Sequence, residues 1–410
     1  MHIRISLFST DYIGQNTNPS LAIFSYCRQF YYVPSLSGYS KYLKLIFMKI
    51  RFIFSFCCLV AIQSFATIRT VSNNPASIAQ FGTIQAAINV SSSGDTVYVH
   101  GSTERYTAFN INNKALVIVG PGFNPNKELP YSAVIVGATV IGPAGTAGTE
   151  IQGMYFDRSN SSQLYVQNDS IRFVRNMFSC PISYSGNDVF IGTTCNNVLW
   201  EGNCFLVSEF SMNANIIYSN WLFQNNLFYP PGIGGGLFRS LAKTSNFLFN
   251  HNLMYSCTGL LYPIVHDANN SGGIVFTNNI LMRMNLTSSM GATSYSNNIT
   301  FECNNNEPWL LGGNANGGGN IANTSPQLVS QAQVNACNFI FSDLSVAAGP
   351  AKNAGSDGKD IGLLFDAIGP YNWANSGNSR LPRISKMSVL NTTVQQGATI
   401  TISVQAKTSN

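Results

Sequence analysis

Six segments of this chain share one pattern. IRFVRNMF, VLWEGNCF, WLFQNNLF, FLFNHNLM, IVFTNNIL and TSYSNNIT align on Asn176, Asn203, Asn226, Asn252, Asn279 and Asn298, at spacings of 27, 23, 26, 27 and 19 residues. Three positions before each asparagine stands an aromatic ring: Phe173, Trp200, Phe223, Phe249, Phe276 and Tyr295. Five positions before it stands an apolar residue in Ile171, Val198, Trp221, Phe247 and Ile274, with Thr293 the exception. One position after come Met177, Cys204, Leu227, Leu253, Ile280 and Ile299. Alternation of period two before the asparagine predicts short strands with one face buried. A strand-bearing repeat of this length, without a helical apolar period, predicts a coil of strands stacked on itself, a parallel β-helix.

In such a coil each rung lies about 4.8 Å above the last, so like residues form ladders. The aromatic rings are expected inside. The asparagines are expected at corners, where they accept the left-handed conformation and bond from rung to rung through their amides. The preceding residue is again Asn at Asn225, Asn278 and Asn297, and His251 stands in that same corner column. Cys204 replaces Leu or Ile in a buried column and reads as a small core residue. Cys257 and Cys303 both follow their asparagine by five positions. They are two rungs apart, roughly 10 Å, so no bond between them is expected.

Earlier rungs are expected at residues 115–120 (ALVIVG), 133–137 (AVIVG) and 151–155. Before them, FGTIQAAINVSSSGDTVYV, residues 81–99, places Ile84, Ala87 and Ile88 on one face of a short helix. Gly94-Asp95 then turns into a strand. A helix here would cover the open end of the first rung.

These 19 residues resemble the opening of the pectin-lyase-like, right-handed parallel β-helix superfamily, in which a capping helix precedes the first rung. LSVAAGPAKNAGSDGKDIG, residues 344–362, is similar to the final-rung motif of bacterial secreted members, with Gly349 and Lys352 departing from it. The style of the chain resembles exported proteins of the Bacteroidota. The resemblance runs from about residue 67 to 366 and implies an all-β fold, with a capping helix and a short C-terminal tail. Within that tail, residues 381–406 alternate at Ile400, Ile402 and Val404, with a turn at Gln396-Gly397, and predict one hairpin.

Residues 1–66 hold six bases against the single acid Asp11, and the rest of the chain holds sixteen of each. A neutral body with 10% charged residues overall has no field for nucleic acid. From Met48, the run MKIRFIFSFCCLVAIQSFA has the layout of a secretory signal, with cleavage expected after Ala66. The expected organisation is residues 1–47 as an unstructured extension added by the gene model, 48–66 as signal peptide, 67–366 as β-helix, and 367–410 as linker and hairpin tail. The mature chain is expected outside the cytoplasm, secreted or at the cell surface, as a monomer without a membrane span.

Chemistry is sparse. The resemblance implies that pectate-cleaving members use a calcium-binding acid cluster with an Arg or Lys base, and that hydrolases use two or three close Asp residues. Between Ile171 and Phe301 the acids are Asp188, Glu201, Glu209 and Asp267, with no DD or DxD pair. No metal or cofactor is expected. Glu201 is the acid best placed on an outward position, but its column neighbours Gln224, Asn250 and Thr277 are not acids. Arg239, Lys243, His266 and Asp267 are the candidates for general acid and base in a lyase-like elimination. Trp309, Tyr371 and Trp373 are candidates for stacking on sugar rings. Two readings remain open: a non-catalytic solenoid binding polysaccharide or a cell-surface glycan, and a polysaccharide lyase or glycoside hydrolase with a site built across rungs.

Overall fold

The computed structural model describes residues 66–123, 131–159, 162–183, 194–206, 209–213, 216–229, 237–239, 245–257, 262–264, 273–286, 292–337, 343–365, 373, 383–389 and 402–407. Apart from Ala66, the expected extension and signal peptide lie outside the described residues. Three sheets wind into a right-handed parallel β-helix. The first has eleven strands, from Ile68–Val71 to Ala315–Asn316; the second has nine, from Tyr106–Thr107 to Ile299–Phe301; the third has six, from Asn110–Ile111 to Phe238–Arg239. In the first sheet the strands lie in chain order, so each turn of the coil adds one rung. Among the described residues no helix is long and apolar enough to cross a membrane.

The expected cap is the helix Ile84–Val90, which follows the first strand, Ile68–Val71, instead of preceding it. The Thr83 side chain accepts the Ala86 N–H at its start, and Ile84, Ala87 and Ile88 are buried. The strand Thr96–Val99 follows the Gly94-Asp95 turn. The core begins at Val71, takes in Ile84, Ala87 and Ile88, and runs the length of the coil to Trp309. Ring stacking carries it: centroids lie 4.1 Å apart for Phe173 and Trp200, 4.7 Å for Phe223 and Phe249, 4.7 Å for Phe249 and Phe276, and 5.3 Å for Phe276 and Tyr295. A second stack, Phe156, Phe178, Phe205 and Phe228, rises from the second sheet.

First and second sheets meet at a two-residue corner, and here the division of labour differs from the sequence expectation. The left-handed residue is the one before the ladder asparagine: φ is 54° at Asn225, 53° at His251, 60° at Asn278 and 52° at Asn297, with Gly153 and Gly202 serving earlier rungs at 66° and 64°. That turn frees the next residue to point inward. Each of the six ladder asparagines is therefore fully buried. Backbone N–H groups of Asn176, Asn203, Asn226, Asn252 and Asn279 donate to the Oδ1 of the next asparagine at 2.8–3.0 Å. Each side-chain amide also reaches a carbonyl of the rung behind, as Asn203 Nδ2 does to Phe173 O at 2.9 Å. One member was not read from the sequence: Asn320, whose Oδ1 accepts the Asn298 N–H at 3.0 Å.

Successive strand residues face opposite ways. Phe178, Phe205, Phe228 and Leu281 belong to the interior cluster, so Met177, Cys204, Leu227, Leu253, Ile280 and Ile299 lie on the outer side of the second sheet. They are buried nonetheless, in a second core formed with Leu328, Val334, Leu344, Val346, Ile361 and Leu363. Cys204 is thus a core residue, but of this outer core. The segment containing residues 344–362 does not add a rung. It runs back as a strap along the outside of the coil, stapled by a disulfide between Cys257 and Cys337, whose Cα atoms are 5.6 Å apart. Cys303 is free and buried, as is consistent with no bond to Cys257.

The strands Arg383–Val389 and Ile402–Lys407 pair as a two-stranded sheet, and from Ile384 to Ala406 they belong to a second compact unit. The expected turn at Gln396-Gly397 lies outside the described residues.

Candidate binding face

The outer side of the first sheet carries two columns in register. One reads Leu199, Leu222, Leu248, Val275 and Ser294; the other reads Glu201, Gln224, Asn250, Thr277 and Ser296. Between them, facing inward, runs the aromatic ladder, so the alternation that buries the rings also sets these residues outward. Leu248 is 40% exposed, and Leu222, Val275, Gln224, Asn250, Thr277 and Ser296 are partly exposed. Four successive rungs therefore present an aliphatic or small residue beside an amide or hydroxyl, and no charge. Asn278 Nδ2 donates to Asn250 Oδ1 at 3.0 Å, which orients that amide. Glu201, expected to be outward, lies in the polar column but is buried at 6% exposure.

The charged candidates do not form a described centre. Arg239 ends a strand of the third sheet and pairs with Glu209 at 3.2 Å. Lys243, His266 and Asp267 lie outside the described residues. Among the described residues no group of three or more His, Cys, Asp or Glu side chains could hold a metal ion. Asp157 accepts from the Ser159 hydroxyl and the Arg158 N–H and pairs with Arg105 at 3.3 Å. Burial pushes its pKa up, but the Ser159 hydroxyl, the Arg105 guanidinium and the Arg158 N–H together hold it below the ordinary carboxylate value. A general acid at neutral pH needs a displacement in the other direction. The described carboxyls with displaced values, Asp95, Asp157 and Asp357, are all displaced downward.

The aromatic candidates turn inward. Trp309 is 6% exposed and meets Tyr295 edge-on at 6.2 Å, closing the end of the inner core. Trp373, also 6% exposed, belongs to the outer core, and Tyr371 lies outside the described residues. Neither tryptophan offers an open ring face to a sugar, because the ends of an apolar stack have to be covered.

A feature the sequence reading missed is the seam between strap and corner column. Leu364 N–H donates to Asn225 Oδ1 at 2.8 Å, Ser356 N–H to Asn278 Oδ1 at 2.8 Å, and Asn297 Nδ2 to Ala354 O at 3.0 Å. Asp357, from the DGKD run, meets His251 at 3.1 Å, and Asp360 meets Lys352 at 2.9 Å. The available signal was His251 itself, a titratable ring in a column of asparagines.

No family model matches the chain, and no curated protein matches it. Among solved structures, the crystal structure of pectate lyase Pel9A is similar, with a TM-score of 0.32 and 13% identity, covering 73% of this chain and 97% of that chain. One scaffold hosts many activities, so function is argued below from side chains.

Proposed function

We propose that this protein is an exported, non-catalytic β-helix that holds a polysaccharide or cell-surface glycan along the outer face of its first sheet. The observation that carries the reading is the pair of columns from Leu222 and Gln224 to Ser294 and Ser296. A sugar chain offers hydroxyls in its ring plane and C–H groups on its faces, so it needs amides and hydroxyls beside aliphatic surface. A rung spacing of about 4.8 Å repeats these partners at close to the length of one sugar residue. The lack of charge in these columns favours a neutral glycan over a polyuronide, which would call for Arg or Lys. Export is supported by the signal layout of residues 48–66.

Retention of residues 67–410 on immobilised neutral glycans tests this. Leu248→Asp and Gln224→Ala, both on the outer surface, are expected to weaken retention at least tenfold without altering the fold. Release of unsaturated or reducing ends from any soluble polysaccharide would replace the binding reading with an enzyme.

A further inference from the structure

The strap crosses the corner column at a joint that contains a proton-sensitive group. The His251 side chain is 1% exposed. Its Nδ1 faces Gly362 O at 3.2 Å, and a carbonyl only accepts, so Nδ1 carries a hydrogen. The Ser356 N–H donates to Asn278 Oδ1 and so fixes that amide, which leaves Asn278 Nδ2 facing His251 Nε2 at 3.2 Å. An amide nitrogen only donates, so here Nε2 is the acceptor of a neutral ring. The same Nε2 lies 3.1 Å from Asp357 Oδ2, an acceptor that a neutral ring cannot satisfy. Protonation therefore exchanges partners: Asp357 gains a bond, and Asn278, which keeps its bond to Asn250 Oδ1, is left with its other amide hydrogen against an N–H.

The exchange works against the strap. Asp357 is 42% exposed, and solvent weakens what it returns to a buried imidazolium. Lys359, on the same loop, adds a like charge nearby. Asn278, which loses its bond, also receives Ser356 and, through its carbonyl, the Gly362 N–H at 2.8 Å.

We propose that His251 makes the strap a proton-released latch, in which protonation of the ring frees residues 351–365 from the corner column while the Cys257–Cys337 disulfide keeps them tethered, uncovering the outer apolar column around Leu253 and Ile280. Burial, the largest influence, holds His251 below its ordinary 6.5 against the pull of Asp357. The docked state thus binds fewer protons than the released one. Docking is at full strength above pH 6.5 and weakens as pH falls below it, with release rising by up to about tenfold per pH unit until the docked value is passed. Asp357, held below 3.8, contributes a separate loss at lower pH.

Hydrogen exchange on the full chain, with protection corrected for the pH dependence of the intrinsic rate, tests the latch at the amides of Ser356, Gly362 and Leu364. Protection there is expected to fall by up to about tenfold per unit below pH 6.5, with Phe249 and Phe276 in the inner core unchanged and binding of an apolar dye increased. His251→Asn keeps a residue type that already adopts this φ at Asn225, Asn278 and Asn297, and is expected to abolish the pH dependence above the range in which Asp357 titrates. Wild-type strap protection that does not change between pH 6.5 and the range in which Asp357 titrates, a pH dependence over that same interval that survives in His251→Asn, or a loss shared equally by the inner core would each overturn the proposal.

Discussion

Asn252 Oδ1 receives two hydrogen bonds from Asn226, one from its backbone N–H at 2.9 Å and one from its side-chain amide at 3.0 Å. Asn252 Nδ2 in turn donates to Phe223 O at 2.9 Å. Its other amide hydrogen goes to Asn279 Oδ1 at 2.9 Å, so one side chain bonds four groups with no access to water. Asn252→Ala orphans the Asn226 N–H and one hydrogen of its amide, and each buried orphan costs about 1–3 kcal/mol, so a loss of about 3–5 kcal/mol is expected in urea unfolding. Asn320→Ala, at the partly exposed end of the ladder, is expected to lose about 1 kcal/mol. Equal losses at the two positions would contradict a ladder whose strength comes from burial.

Tyr295 occupies the last ring position of the aromatic ladder, and its hydroxyl is buried without a hydrogen-bond partner. Every earlier ring from Phe173 to Phe276 lacks a hydroxyl. Tyr295→Phe is expected to raise stability by about 1 kcal/mol, since it removes an unpaid desolvation and keeps the stack on Phe276. A lower unfolding midpoint in the variant would show that the hydroxyl has a partner.

Gly362 sits where the strap meets the second sheet, at φ +94°, and a Cβ there would collide with Ile280. Gly362→Ala combines backbone strain with a clash and is expected to cost about 1–3 kcal/mol. The loss should appear as faster exchange in the strap, with the inner core unaffected.

The fold was legible in the sequence wherever a residue's role is repeated. Phe173 to Tyr295 announce the inner stack because the same ring recurs at every rung. Asn176 to Asn298 announce the ladder for the same reason. The assignment of the left-handed turn to the ladder asparagine was off by one residue, because Asn suits both positions and neighbours such as Asn225 and Asn278 hide the difference. The strap was not legible. Met177, Cys204 and Leu227 read as buried, but which side of the sheet buries them depends on residues 328–365, far along the chain and without periodicity. The candidate face is legible as a column of non-acids at Gln224, Asn250 and Thr277, which in sequence reads as a lack of catalysts and becomes a surface only through the strand register. Trp309 and Trp373 could not be placed, since a ring that caps a core and a ring that stacks on sugar look alike in sequence.

The Cys257–Cys337 bond closes a separation of 80 residues. In the chain-entropy view a loop of that size is worth about 4 kcal/mol, and reduction is expected to lower stability by about 2–4 kcal/mol. In residues 67–410 the other four cysteines, Cys180, Cys195, Cys204 and Cys303, are buried and lie outside this disulfide, and burial pushes Cys180 up to about 12 and Cys303 up to about 11. Maleimide labelling under native conditions should therefore add nothing before reduction and two groups after it, read by intact mass. More than two adducts after reduction would place one of these four thiols at the surface.

The most direct measurement of the central claim is retention of residues 67–410 on a panel of immobilised neutral and acidic glycans, run beside Leu248→Asp, with the soluble polysaccharides assayed for new unsaturated or reducing ends. Retention on a neutral glycan, weakened at least tenfold by Leu248→Asp and accompanied by no cleavage, is the result expected of a glycan lying along the first sheet. Cleavage products, or retention that Leu248→Asp leaves unchanged, would contradict it.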